Sequence, residues 1–347
     1  MILWRGSAVP FKEETTLAIK ETDYLALTAM LAAREASMLN EDRMERMLAA
    51  PSVEEAAKIP EECGYGDLSG MRAEEVNAAL EAHLVEIYRE LAGIVPEPEL
   101  VDIFRRKYDY HNLKVLLKAQ HTGTSGSDLL SSRSSVPAET VREALTSGEF
   151  QTLPPEIAHA AEEAQSILAR TSNPQLADFA LDRAYFAALT KLAEKVTDPY
   201  AAEYVKLLID NANLRAVVRT IRMGKDTDFL RLALVPGGEV SEPTLLAAAE
   251  SPESFAAAFQ ASRLAEAAET GAAAMQGGAL TKFERQCDNT VLRYVKEAKR
   301  KSFCASHVVA YLAAMENEVT ALRMILTGRL AGLSPDTIRE RLRETYA

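Results

Sequence analysis

The chain has 347 residues and a formal net charge of −12, with 48% hydrophobic residues, 26% charged residues and three cysteines. This length exceeds that of a usual single hydrophobic core, so we expect several domains or one repeated architecture, and the apolar content excludes a disordered chain. The acidic charge argues against nucleic acid or an anionic lipid surface as the main partner because both would repel the chain, and the scattered cysteines exclude a disulfide framework and fit a reducing cytoplasm.

The chain begins with a predicted N-terminal extension, residues 1–22, which lacks the apolar stretch of a secretory signal. Over residues 23–70 we predict a helical hairpin followed by a turn-rich joint. Leu27 and Leu31 mark the apolar face of its first helix, and Asn40 is suited to cap its second. No stretch of the chain has the roughly 20 apolar residues that a membrane-crossing helix needs, so we expect no direct lipid anchor.

Three predicted helical units follow, at residues 71–152, 153–279 and 280–347. In the first unit, Pro96 and Pro98 separate two long helices predicted at 73–91 and 99–120. The Gly- and Ser-rich segment at 122–135 predicts a surface loop. Because no run shows the sustained apolar alternation of a strand, we predict an all-α fold.

One helix of the first unit recurs in the other two. The sequence FRRKYDYHNLKVLLKAQHTG at 104–123 aligns with VKLLIDNANLRAVVRTIRMG at 205–224 after a shift of 101 residues, and a weaker third copy lies 209 residues after the first. The repeated polar positions are Asp109, Asn112, Lys114 and Lys118 in the first copy, Asp210, Asn213, Arg215 and Arg219 in the second, and Glu318 and Arg323 in the third. Internal similarity of this kind indicates a repeated architecture.

The similarity extends to both sides of the repeated helix. An acidic residue precedes each copy at a similar distance, at Glu81, Asp182 and Asp288. A capped short helix is predicted after each copy, beginning near Val136, Val240 and Leu333. Residues 39–44 resemble these short helices, so the N-terminal hairpin resembles a half-copy of the unit.

Two interpretations of the repeated polar positions are open. Asp109 and Asn112 share one helix face, and Lys114 and Lys118 share another. Such residues can join neighbouring helices through buried hydrogen bonds, because an unpaired polar group in a core is costly. Alternatively, some of them line a central concavity and contact a partner.

A search for catalytic patterns yields no complete site. Gly224 and Lys225 lack the rest of a phosphate-binding loop. Glu156 and His159 have the spacing of a di-iron helix, but the chain has no second such pair. The pair of Cys304 and His307 lacks a recognisable activating environment. We therefore expect no catalytic residue, cofactor or bound metal.

Specific sequences resemble one known family. The sequence YDYHNLK at 108–114, the triplicated helical unit and the closing IRERL at 338–342 resemble the V/A-type rotary ATPase subunit called C in bacteria and archaea and d in eukaryotes. The resemblance covers roughly residues 23–346. It implies three similar helical repeat units arranged as a pseudo-threefold funnel.

The resemblance also implies a function without chemistry in this chain. The expected protein is a central-stalk adaptor that couples the D and F stalk subunits to the proteolipid rotor ring, on the cytoplasmic face of a membrane. ATP synthesis or hydrolysis and ion transport would then occur in other subunits. The alternatives are a free-standing all-α repeat scaffold and an α-helical metalloenzyme.

Overall fold

A computed structural model describes residues 19–347, and over that range the chain forms sixteen α-helices, several short 3₁₀ turns and no strand. In chain order, α1 to α16 are Leu25–Glu35, Glu41–Ala49, Val53–Ala56, Ala73–Ala92, Glu99–Thr122, Ala138–Ser147, Pro155–Thr171, Pro174–Ala193, Pro199–Arg222, Thr227–Ala233, Glu242–Ala248, Pro252–Phe259, Ala265–Met275, Leu280–Lys296, Ser306–Leu330 and Pro335–Arg339. The all-α prediction is confirmed for this part of the chain. The predicted N-terminal extension lies almost wholly outside it.

Local sequence signals determine where the helices begin and end. The Asn40 side chain accepts a hydrogen bond from the Arg43 N–H at 2.9 Å and caps α2, as predicted. Asp198 caps α9, and Pro199 occupies the first helical position, where its missing N–H is not needed. Gly123 ends α5 in the left-handed conformation. These signals explain why the observed boundaries lie close to the predicted ones.

The three copies of the repeated sequence form the longest helices, α5, α9 and α15, and most of their residues are buried. Helix α5 packs against α4, α6 and α8, α9 packs against α8, α13 and α14, and α15 packs against α4, α5 and α14. One large hydrophobic core joins α9 and α15 to the N-terminal hairpin, and a smaller one lies between α5 and α8. Each long helix therefore contacts helices from outside its own predicted unit.

Equivalent levels of the three long helices lie side by side. The rings of Phe104 on α5 and Tyr204 on α9 stack with centroids 5.7 Å apart. Lys107 on α5 and Glu316 on α15, which correspond under the 209-residue shift, are 3.4 Å apart. Contacts between corresponding or immediately neighbouring positions indicate that the copies are aligned along their lengths. In the described residues, no helix is both long and apolar enough to cross a bilayer.

Candidate functional site

The first repeated carboxylate fixes the loop that follows its helix. Asp109, 1% exposed, accepts hydrogen bonds from the backbone N–H groups of Ser135 and Val136 at 2.7 and 3.0 Å. Its second oxygen accepts from the Ser135 hydroxyl at 2.6 Å and lies 3.3 Å from the Arg106 guanidinium. The segment at 122–135, predicted as a surface loop, is therefore bonded at its end to a buried side chain of α5.

Asp210 makes the same contact in the second copy. Its carboxylate accepts from the backbone N–H groups of Glu239 and Val240 at 2.9 and 3.2 Å, just before α11 begins. Burial raises the pKa of Asp210, and the two backbone donors oppose that rise. In both copies, a buried carboxylate on the long helix binds the loop residues just before a later short helix, α6 or α11.

The repeated asparagines act one turn further along each helix. The Asn112 amide donates to the Ser131 carbonyl at 2.9 Å and accepts from the Ser131 N–H at 2.8 Å. Asn213 makes the same pair of bonds with Val235, both at 2.8 Å. A primary amide has a donor and an acceptor side by side, so it pairs with a backbone N–H and C=O as another peptide would. Replacement of either asparagine by an apolar residue would remove both of its bonds to this backbone.

The third copy binds a different segment from the one that the sequence alignment pairs with it. Glu318 accepts a hydrogen bond from the backbone N–H of Leu39 and another, at 2.7 Å, from the Tyr65 hydroxyl. Leu333, which the alignment pairs with Val136 and Val240, makes no hydrogen bond to Glu318. The loop bound by the third carboxylate therefore comes from the N-terminal hairpin, and the predicted half-copy is in contact with α15.

Helix α2 is hydrogen-bonded to α15 at positions that correspond to those of α5 bonded to α6. In the first copy, the Gln120 amide donates to the Leu145 carbonyl near the end of α6 at 3.1 Å. In the third copy, Arg329, at the corresponding position, donates to the carbonyls of Leu48 and Ala50 at 2.7 and 2.6 Å. A cation at these terminal carbonyls also stabilises the helix dipole. Both ends of α2 are thus bonded to α15.

The repeated cations join each long helix to a helix of another predicted unit. Lys114 and Lys118 on α5 bind Asp182 and Asp178 on α8 at 2.5 and 2.6 Å. On α9, Arg215 binds Asp288 and Glu284 of α14, and Arg219 shares Glu284 at 2.7 Å. On α15, Arg323 instead donates to the Asn77 side chain of α4 at 3.0 Å. We call these three helix pairs the seams.

The seams surround one large cavity. Its volume is about 1880 Å³, and it is lined by residues of α4, α5, α8, α9, α14 and α15. Lys114, Arg215, Arg219 and Arg323 line this cavity, whereas Asp109, Asp210 and Glu318 do not. The carboxylates therefore bind loops, and most of the repeated cations line the cavity.

Arg133 and Glu316 are among the charged residues of the cavity that the sequence did not indicate. Arg133 lies against Glu81 at 2.8 Å and donates to the Tyr108 hydroxyl at 2.5 Å. Glu316 accepts from the hydroxyls of Tyr88 and Tyr108 at 2.7 and 2.6 Å. Burial alone would raise the pKa of Glu316, but nearby Lys107 and these hydroxyl donors lower it overall. The available signal was the change from Lys107 to Glu316 at corresponding positions.

The catalytic candidates are not assembled into a site in the described residues. The ring of His307 lies near the backbone carbonyls of Lys301 and Ser302 rather than near the Cys304 thiol. Burial raises the pKa of that thiol, which disfavours the nucleophilic thiolate. Residues 19–347 contain no group of three or more His, Cys, Asp or Glu side chains that could bind a metal ion.

We expect Gly238→Ala to lower the free energy of unfolding by about 1 to 3 kcal/mol, because an added methyl group would overpack this contact. A Cβ atom at Gly238 would overlap Asp210 Oδ1 and lie 2.9 Å from the Asp210 Cγ. Chemical denaturation of a double-mutant cycle tests the cause. In an Asp210→Ala background the same substitution should cost much less, and an equal cost in both backgrounds would contradict the explanation.

Comparison with known proteins identifies the family. The model of the ATP synthase (C/AC39) subunit family matches residues 27–341. The subunit called C of a V-type sodium ATPase from Enterococcus hirae is 23% identical, over 93% of this chain and 99% of that protein. The subunit called C of an A-type ATP synthase from Methanocaldococcus jannaschii is 25% identical, over 94% of this chain and 88% of that protein. The resemblance predicted from the sequence is thus confirmed, and the chain belongs to the ATP synthase (C/AC39) subunit family.

Proposed function

We propose that the chain is a non-catalytic central-stalk adaptor of a V/A-type rotary ATPase, peripheral on the cytoplasmic face of the membrane. It would couple the D and F stalk subunits to the proteolipid ring during ion-driven ATP synthesis or ATP-driven ion transport. The observation that carries this proposal is the cavity of about 1880 Å³ lined by all three repeated helices. A cavity of that size suits an inserted protein segment better than a small ligand, for which pockets of about 300 to 1,000 Å³ are usual.

The proposed arrangement is a pseudo-threefold funnel whose three seams form a closed ring. Its support is the order of the contacts: α5 binds α8, α9 binds α14, and α15 binds α4. The bond between Glu318 and Leu39 attaches the N-terminal hairpin to α15, the long helix of the third seam. Torque applied to a closed ring is shared by every seam, so no terminal unit can peel away alone. This rigidity is what a coupling subunit requires.

The family resemblance suggests how the partners bind. The stacked rings of Phe104 and Tyr204 line the cavity near the beginnings of their helices. Exposed Met223 lines it next to the end of α9. From the resemblance we infer that the stalk enters at the wide end of the funnel and that the ring binds at the narrow end.

Co-purification tests the proposed function. A tagged full-length chain should retain the D and F heterodimer and the detergent-solubilised proteolipid ring of the same rotary ATPase at low ionic strength. Since we expect charged contacts at accessible rims, moderate salt should release these partners while the circular dichroism of the chain stays helical. Failure to bind either partner at low salt would overturn the proposal, and tight binding to anionic vesicles without a ring would argue against it.

A further inference from the structure

The three seams do not carry the same charges. Helix α8 has Asp178 and helix α14 has Glu284 at the position that faces the cations of the preceding long helix. Helix α4 has Asn77 at the corresponding position, and Asn77 is the residue to which Arg323 donates. The seam between α15 and α4 therefore has an amide where the other two seams have a carboxylate.

The remaining carboxylate of this seam is already engaged. One oxygen of Glu81 binds Arg133 at 2.8 Å, and the other accepts from the Ser131 hydroxyl at 2.7 Å. Among residues 19–347, no carboxylate lies within 4 Å of the Arg323 guanidinium. Arg323 is half-buried and lines the cavity, so its charge is partly removed from water without an ion-pair partner.

The surrounding electrostatics agree with this geometry. Burial lowers the pKa of Arg323, and the neighbouring cation Arg133 lowers it further. Burial also acts to lower the pKa of Arg215 at the corresponding position, but Asp288 and Glu284 raise it overall. Eight cationic and six anionic side chains line the cavity, although the whole chain has a net charge of −12. The cavity lining thus has a small excess of positive charge in an acidic protein, and such an excess favours an acidic partner.

We propose that Arg323 binds a carboxylate on the stalk segment that enters the cavity, and that this contact determines which of the three seams the segment faces. The inference rests on the proposed function, because it assumes that the stalk enters there. A guanidinium whose terminal nitrogens lack a carboxylate partner can bind one through two parallel hydrogen bonds. The equivalent cations at the other seams already have carboxylate partners. One acidic group on the stalk would therefore discriminate among three otherwise similar surfaces.

Two substitutions on opposite sides of the seam test this inference. We expect Arg323→Gln to weaken binding of the purified D and F heterodimer by about tenfold or more, the effect of losing a charge-assisted hydrogen bond. Asn77→Asp gives Arg323 the internal carboxylate that the other seams have. Asn77→Asp should therefore also weaken binding of the heterodimer, while its melting temperature stays unchanged or rises. A defect in folding then cannot explain the lost affinity.

The matched control is Gln175→Glu, which adds the same negative charge to an exposed position of the cavity wall on α8. It should weaken stalk binding clearly less than Asn77→Asp does, because it adds the charge without giving Arg323 a carboxylate partner. An equal loss of affinity in this control would overturn the assignment to Arg323, because general repulsion would then explain all the results. If the wild-type chain binds the heterodimer and both seam variants bind it with the same affinity, the inference about Arg323 is wrong while the adaptor function stands. No binding by the wild-type chain would overturn the adaptor function itself.

Discussion

The substitution Asp109→Ala is expected to lower the free energy of unfolding by about 3 kcal/mol or more, because it leaves several buried groups without a partner. The carboxylate accepts from two backbone N–H groups and one hydroxyl, and it lies beside the buried guanidinium of Arg106. Arg106 would then retain only Glu156, 3.5 Å away and half exposed. Urea denaturation followed by circular dichroism measures the loss.

The conservative variant Asp109→Asn serves as the control. Its amide oxygen can still accept from Ser135 and Val136, while its NH₂ group would face Arg106. We expect a smaller loss than for alanine. Asp210→Ala should also cost less than Asp109→Ala, since no buried arginine depends on Asp210. If the unfolding free energy of Asp109→Ala lies within about 0.5 kcal/mol of the wild-type value, as for most surface substitutions, the prediction is wrong and other contacts stabilise the loop.

Stability is also expected to depend on pH through Glu318. Burial raises the pKa of this carboxyl from 4.5 to about 7, although Leu39, Tyr65 and Arg43 act to lower it. A carboxyl with a raised pKa in the folded state contributes most stability below pH 4.5 and loses that contribution as the pH rises through about 7. The shift corresponds to about 3 kcal/mol. The wild-type chain should therefore become less stable than Glu318→Gln as the pH rises.

The measured quantity is the difference in unfolding free energy between these two proteins at pH 5 and at pH 8. Titrating groups remote from Glu318 cancel in this difference. Cys63 and Tyr311 interact with Glu318, but their pKa values are raised chiefly by burial, so neither titrates in the folded chain between pH 5 and pH 8. The glutamine oxygen can accept from Leu39, and its NH₂ can donate to Tyr65, so both bonds are retained. A difference that stays constant with pH would contradict the prediction. Glu318→Ala, which removes both bonds, should be less stable than Glu318→Gln at both pH values.

The sequence predicts the parts of this fold that depend on local signals. Caps and prolines such as Asn40 and Pro98 mark helix boundaries, and apolar spacing excludes strands. The shift of 101 residues pairs Asp109 with Asp210 and Asn112 with Asn213, and the members of each pair make matching hydrogen bonds. These agreements arise because each side chain binds a loop of its own unit, about 20 to 30 residues away along the chain.

The contacts that the sequence does not predict are those between distant segments. The partner of Glu318 is Leu39 rather than a residue near Leu333, and Arg329 likewise binds carbonyls at the end of α2. Arg133 lies in a segment predicted only as a loop, and its partner Glu81 lies on α4, about 50 residues earlier in the chain. The predicted roles of the cations as an interface remain a proposal.

The hydrogen bond between Leu39 and Glu318 can form only after α15 has been synthesised. These residues are 279 positions apart. At a rate of synthesis of about 5 to 20 residues per second, roughly 15 to 55 seconds pass between the synthesis of the hairpin and that of α15. During that delay the side chains of Leu31, Met47 and Leu48, fully buried in the final fold, lack most of their cover. Contacts of such high sequence separation form late because the intervening chain must first be ordered. A chain truncated before α15 therefore exposes this apolar hairpin, which makes incomplete products recognisable to chaperones and proteases.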